Sequence, residues 1–119
     1  MKSQIFTDLI VWQKVHQFVL EVYKLTKNFP KEEVFALTSQ FRKAAVSIPA
    51  NIAEGYKKRG KHDKVRFFNI SEGSLEECEY YIILSKDLKY VDNDDLLAPA
   101  EEISKLLNSY SKAILNDKN

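Results

Sequence analysis

Apolar residues recur at helical spacing along the chain. Trp12, Val15, Val19 and Val22 follow one another at intervals of three and four, and Val11, Phe18 and Leu25 form a second stripe beside them. Such spacing makes a helical seam, not a strand. The helix is predicted over residues 8–27. Thr7 is its expected N-cap, with Phe6 and Val11 as the hydrophobic staple. Asn28 and Pro30 give the stop signal. A second helix is predicted over residues 34–58, with Leu37, Phe41, Ala45, Ile48, Ile52 and Tyr56 as its seam. Gly60 stands where a left-handed C-terminal cap favours glycine.

The third helix is expected over residues 61–88. Val65, Phe68, Leu75, Cys78, Ile82 and Ser85 share one face, and Phe67, Ile70, Tyr81 and Leu84 another. Ser71, Gly73 and Ser74 are small and let another backbone approach closely. The fourth helix, residues 93–115, carries the clearest heptad: Leu96, Ala100, Ile103, Leu107, Tyr110 and Ile114. Pro99 makes its start the least defined boundary. Four amphipathic helices joined by short connections predict an all-α antiparallel up-down four-helix bundle, with residues 1–119 as one domain. Helices one and three have more apolar surface than a lone bundle needs. The extra residues (Val11, Phe18, Leu25, Phe67, Ile70, Tyr81) point to an oligomer interface.

Within SIPANIAEG, residues 47–55, Pro49 interrupts an otherwise helical pattern. Proline in a helix interior costs about 3 kcal/mol. Here it removes the bond to the Ala45 carbonyl. The favoured reading is a second helix kinked at Pro49, with Ala44, Ala45, Ala50 and Ala53 allowing tight packing and Ser47 or Asn51 satisfying freed backbone groups. The other reading is a true break, with a new helix starting near Ser47 and Pro49 in its first turn.

Composition narrows the class. Of 119 residues, 45% are apolar and 29% charged, which suits a globular chain and not a disordered one. With 3 Gly and 3 Pro there is little material for the turns of an all-β fold. One cysteine, Cys78, excludes an intramolecular disulfide and a multi-cysteine zinc site, so a reducing cytoplasm is the expected compartment. No apolar run approaches the roughly 18 residues of a membrane span, and the N-terminus lacks the pattern of a secretory signal. Net charge is +1, but its distribution is uneven. Residues 57–66, KKRGKHDKVR, hold six Lys/Arg against one Asp, and residues 72–102 hold ten Asp/Glu against two Lys.

The segments LTSQFRKAAVSIPANIAEGYKKR and VRFFNISEGSLEECEYYIILSKDLKY, with the opening FTDLIVWQKVHQFVLEVYKLTKNFPKEE, strongly resemble the 23S rRNA intervening-sequence proteins. The likeness spans about residues 5–91; the last helix matches only in heptad character. Phe68, Ser71 and Cys78 depart from the family pattern, at packing positions. The resemblance implies a left-handed bundle assembling into a ring-shaped homopentamer, in a family encoded in insertions of bacterial 23S rRNA genes and elsewhere, with no established biochemical role. A related branch resembles the accessory protein of diversity-generating retroelements, which binds nucleic acid and a reverse transcriptase.

Lys57, Lys58, Arg59, Lys61, Lys64 and Arg66 surround the junction of helices two and three. Close, exposed cations are what phosphate recognition requires, and a ring would repeat them on one rim. Tyr56 and His62 are candidates for base stacking, without a full aromatic platform. The plainer reading is a solvated turn with cations at a helix C-terminus, which covers Lys57, Lys58 and Arg59 but not Lys64 and Arg66. Arg42 is expected to pair with a helix-three carboxylate such as Glu76 or Glu77. Asn51 and Glu54 belong to the same motif. Glu72, Glu76 and Glu79 share a face. Neither His16 nor His62 has a glutamate three residues before it, so a di-metal centre is not expected. Cys78 reads as a buried core thiol and His16 as a surface or interface residue. With no catalytic motif and no cofactor loop, the expected protein is a non-enzyme without metal or cofactor. Its partners are other copies of itself and structured RNA or other nucleic acid; the alternative is a protein–protein scaffold that binds no nucleic acid. No membrane association is expected.

Overall fold

The computed structural model describes residues 5–117. Four α-helices form: α1 over Ile10–Thr26, α2 over Leu37–Lys57, α3 over Lys61–Asp87 and α4 over Leu97–Asn116. Short 3-10 turns precede α1 (Phe6–Asp8) and α2 (Lys31–Glu33). Each helix packs on its neighbours in sequence, and α4 closes on α1. Paired residues run in opposite order along α2 and α3. Lys64 meets Tyr56, Ser71 meets Ile48, Ser74 meets Ser47, and Tyr81 meets Phe41.

The helix boundaries differ from the sequence expectation at three starts. Leu9, not Thr7, is the N-cap of α1. The Thr7 carbonyl instead accepts a bond from Gln13 Nε2, and Phe6 packs edge-on against Trp12 with ring centroids 5.4 Å apart. α2 begins at Leu37 and not at residue 34. The Glu33 carboxylate reaches forward to accept the Leu37 N–H, an anion at the positive end of the helix. The same carboxylate accepts the Tyr90 hydroxyl at 2.6 Å, tying the α1–α2 connection to the α3–α4 connection. α4 begins at Leu97, so Pro99 falls in its first turn, where the missing N–H has no helical partner to lose.

α2 runs unbroken through Pro49, which removes the reading with a new helix at Ser47. Side chains serve the backbone around the proline. Asn51 Nδ2 donates to the Ser47 carbonyl at 2.8 Å, and Ser71 Oγ donates to that of Ile48 at 2.8 Å. Ser71 and Ser74 are buried against α2, so their small size brings the two backbones together.

The core joins both stripes of α1. Val11, Val15, Phe18, Val19 and Val22 are all buried, and Trp12 is only half-buried. Val11 and Phe18 are therefore covered by their own chain and are not free for an oligomer contact. Phe41, Ala45, Ile48 and Ile52 of α2 meet Phe68, Leu75, Cys78 and Ile82 of α3 and Ala100, Ile103 and Leu107 of α4. Phe68, Ser71 and Cys78 all lie in this interior.

Two helix ends show how the turns are made. α3 closes with Lys89 at φ 64°, the Tyr90 N–H bonded to the Ser85 carbonyl and the Lys89 N–H to that of Lys86. This is a Schellman ending with lysine where glycine is usual. Gly60, by contrast, is extended (φ −82°, ψ 140°) and is the N-cap of α3, not the left-handed cap of α2.

Candidate nucleic-acid interface

Lys58, Arg59 and Gly60 link α2 to α3, so the basic sequence is folded into one tight end of the bundle. Its six cations divide into two groups. Lys64 points back across the turn. Its Nζ donates to the Tyr56 carbonyl at 2.7 Å and to that of Gly55 at 3.4 Å, and it lies 5.6 Å from the centroid of the Tyr56 ring. Partial burial holds its pKa below the usual lysine value. Lys64 thus does for the end of α2 what a left-handed glycine does elsewhere, which explains why Gly60 is free to open α3. The Lys64 ammonium, expected to face phosphate, is engaged with backbone carbonyls in the structure.

Lys58 and Arg66 are partly engaged. Arg66 donates to Asp63 Oδ1 from Nε and Nη2, at 3.2 and 2.9 Å. Lys58 lies 4.0 Å from Glu54. Both cations also sit over the Phe67 ring, 5.0 Å from its centroid for Lys58 and 4.5 Å for Arg66. These ion pairs are at the surface, where such pairs contribute about 0–1 kcal/mol. Lys57, Arg59 and Lys61 have no ion-pair partner among the described residues. The basic sequence therefore presents three uncommitted cations, with two more held only loosely beside them.

Under the turn, between the start of α1 and the end of α4, lies a cavity of about 180 Å³ lined by Tyr56, Lys64, Phe68, Tyr110 and Ile114 among others. Gly55 borders it. A Cβ there would meet the Phe68 ring at 3.0 Å and the Lys64 carbonyl at 3.1 Å, so glycine lets α2 close onto α3 at this point. Tyr56 is half-buried at the cavity, whereas His62 is exposed.

The other candidate residues go elsewhere. Arg42 does not pair with a helix-three carboxylate. Its Nε donates to Thr26 Oγ1 at 2.8 Å and its Nη2 to the Tyr23 carbonyl at 3.3 Å, with the guanidinium 4.6 Å from the Tyr23 ring centroid. The last turn of α1 offers two acceptors that Arg42 reaches directly, buried Thr26 and the more exposed Tyr23 carbonyl. Cys78 is buried, and burial first, then Glu77 and Glu79, push its thiol up to about 12, far from a nucleophile's range. His16 is exposed and stacks on Trp12, centroids 5.1 Å apart. Partial burial raises Glu72 and Glu79, the latter also through Glu76 and Glu101. Among the described residues, no group of three or more His, Cys, Asp or Glu is placed to hold a metal ion, and no helix is long and apolar enough to cross a membrane.

One feature had no signal in the sequence reading. Tyr23, Val34, Phe35 and Val46 surround an open cavity of about 580 Å³ at the other end of α2, with Arg42 and Lys43 at its rim. Phe35 is 96% exposed. It lies between the 3-10 turn and α2, and the expected earlier start of the helix hid it.

A protein of unknown function from the S23 ribosomal protein family of Bacteroides thetaiotaomicron VPI-5482 has a similar crystal structure. The TM-score is 0.77 at 27% identity, over 87% of this chain and 99% of that one. A search of curated proteins found no match. The sequence model of the 23S rRNA-intervening sequence proteins matches residues 7–109, with the SIPANIAEG and GSLEE segments inside the match. The basic turn and the core that positions it lie within that span, and the chain belongs to the family of 23S rRNA-intervening sequence proteins.

Proposed function

We propose that this chain is a non-enzymatic, oligomeric nucleic-acid binder of the cytoplasm that grips structured RNA by its phosphates through the α2–α3 turn. The observation that carries this reading is the set Lys57, Arg59 and Lys61, three cations on one tight turn without ion-pair partners among the described residues. Phosphate contacts position a nucleic acid without reading its sequence. Three such contacts from each chain engaged predict a slope of log K against log salt of about −2.7 per engaged chain on duplex. Fluorescence anisotropy with a structured rRNA hairpin and an unrelated duplex, at several salt concentrations, tests this. Binding should fall with that slope and be lost in the Lys57→Glu/Arg59→Glu/Lys61→Glu variant. Absence of binding even at low salt would refute it.

A second reading is a protein–protein scaffold, favoured by the exposed Phe35 beside Tyr23, Val34 and Val46. Self-association belongs to both readings. Ile70, Tyr80 and Ile83 of α3 are exposed, and the family resemblance points to a ring of five. Sedimentation velocity of the parent and of Phe35→Asp and Ile83→Asp variants tests it: the parent should sediment as an oligomer and at least one variant as a smaller species. A monomeric parent removes the oligomer from the proposal.

A further inference from the structure

The cavity beneath the basic turn has an apolar, aromatic lining, and one of its lining residues, Tyr56, stands next in sequence to Lys57, which has no ion-pair partner among the described residues. Tyr56, Phe68 and Tyr110 contribute rings, and Phe68 and Tyr110 meet edge to face at 6.4 Å between centroids. Its volume of about 180 Å³ is below that of sites for drug-sized molecules, roughly 300–1,000 Å³, and is on the scale of one planar ring system. Lys64, committed to the end of α2, lines the same cavity. Lys57 follows Tyr56 directly in the chain, and Arg59 and Lys61 follow within the same turn.

Resting on the nucleic-acid reading above, we propose that this cavity receives one unpaired nucleobase, whose flanking phosphates lie on Lys57, Arg59 and Lys61. An unpaired base meets both requirements of the place at once: a flat π-face for the aromatic lining and a double flank of negative charge for the cations. A duplex satisfies only the second, because its bases are stacked inside. Proteins that read single-stranded loops in RNA use this division, with aromatic side chains for splayed bases and cations for the backbone. The ligand class is therefore RNA with an exposed loop, and the turn discriminates loop from stem by shape.

The experiment compares a hairpin with a blunt duplex of equal phosphate number, each carrying 2-aminopurine, in the loop of one and within the stem of the other. The hairpin should bind about tenfold more tightly at the same salt, the magnitude of one stacked base, and the loop fluorophore alone should change intensity on binding. Ile114→Trp, which fills the cavity from the last turn of α4, should remove the preference and leave the salt slope unchanged, with the circular-dichroism melt confirming the fold. Equal affinity for both probes, an unresponsive loop base, or a preference that survives Ile114→Trp overturns the pocket while leaving the phosphate reading intact. Binding of neither probe overturns both.

Discussion

Lys64→Met separates the two groups of cations at the turn. Methionine keeps most of the aliphatic stem and removes the ammonium. The bond lost is the one of 2.7 Å to the Tyr56 carbonyl; the 3.4 Å approach to Gly55 adds little, since that carbonyl also accepts the Lys58 N–H at 3.1 Å. A hydrogen bond to a charged group contributes about 1.5–3 kcal/mol, and a cation at a helix C-terminus about 0.3–1 kcal/mol. Lys64 is half-exposed, and water replaces part of what is removed, so the net loss is about 1 kcal/mol. An unfolding entropy of about 2.1 cal/mol/K per residue converts this to a fall in Tm of about 4 °C for 119 residues. Urea unfolding and a thermal melt give the stability arm. Anisotropy with the hairpin gives the binding arm, where the salt slope should not move. Lys57→Met should do the opposite: stability constant within a few tenths of a kcal/mol and a slope reduced by about 0.9 per engaged chain. Unchanged stability of Lys64→Met, together with a loss of binding as large as that of Lys57→Met, would refute the assignment of Lys64 to the helix end.

Arg42→Met should cost about 1–2 kcal/mol in urea unfolding, because Thr26 and the Tyr23 carbonyl lose a charged donor; Arg42→Lys should not restore it, since lysine lacks the planar fork that spans both acceptors and lies over the Tyr23 ring. Ser111→Ala should raise stability by about 1 kcal/mol, read in the same assay, because Ser111 Oγ is buried without a hydrogen-bond partner among the described residues. Glu79→Gln should stabilise the fold at pH 7 and have no such effect at pH 3. The folded pKa of Glu79 lies above its ordinary 4.5, so the folded state holds the proton more tightly, and stability falls as pH rises from 4.5 through the raised value. A Glu79→Gln difference that is constant across this range would contradict the assignment.

The bundle was largely legible because its apolar spacing is regular: Phe41, Ala45, Ile48 and Ile52 on α2 and Ala100, Ile103 and Leu107 on α4 lie where periodicity put them. The helix starts were less legible, since each is set by a contact distant in sequence or by local geometry. Glu33 capping Leu37 depends on chain reversal before α2, whereas Pro99 disfavours a start at residue 93, where it would be the seventh helical residue, and suits the observed start at Leu97. The extra stripe on α1 was misread because Val11 and Phe18 face a core that wraps further around the helix than one seam. At the candidate site, the sequence located the cations but could not sort them. The commitment of Lys64 depends on the turn folding α3 back over the end of α2, and that of Arg42 on the neighbouring end of α1.

The placement of the basic turn at one end of the molecule governs how much polymer a bound chain occupies. The chain measures 50 × 23 × 22 Å, and the 27 residues of α3 carry the sequence about 40 Å from that turn towards the acidic stretch around Asp87–Asp95. If the chain binds nucleic acid as proposed, the polyanion would be drawn to the first end and repelled by the second, and the rod would stand upright on it. An upright chain covers about 22 Å of duplex axis, or about six base pairs and thirteen phosphates, where a chain lying flat would cover about fifteen base pairs. Saturation at one chain per six or seven base pairs is thus the stoichiometric mark of end-on docking.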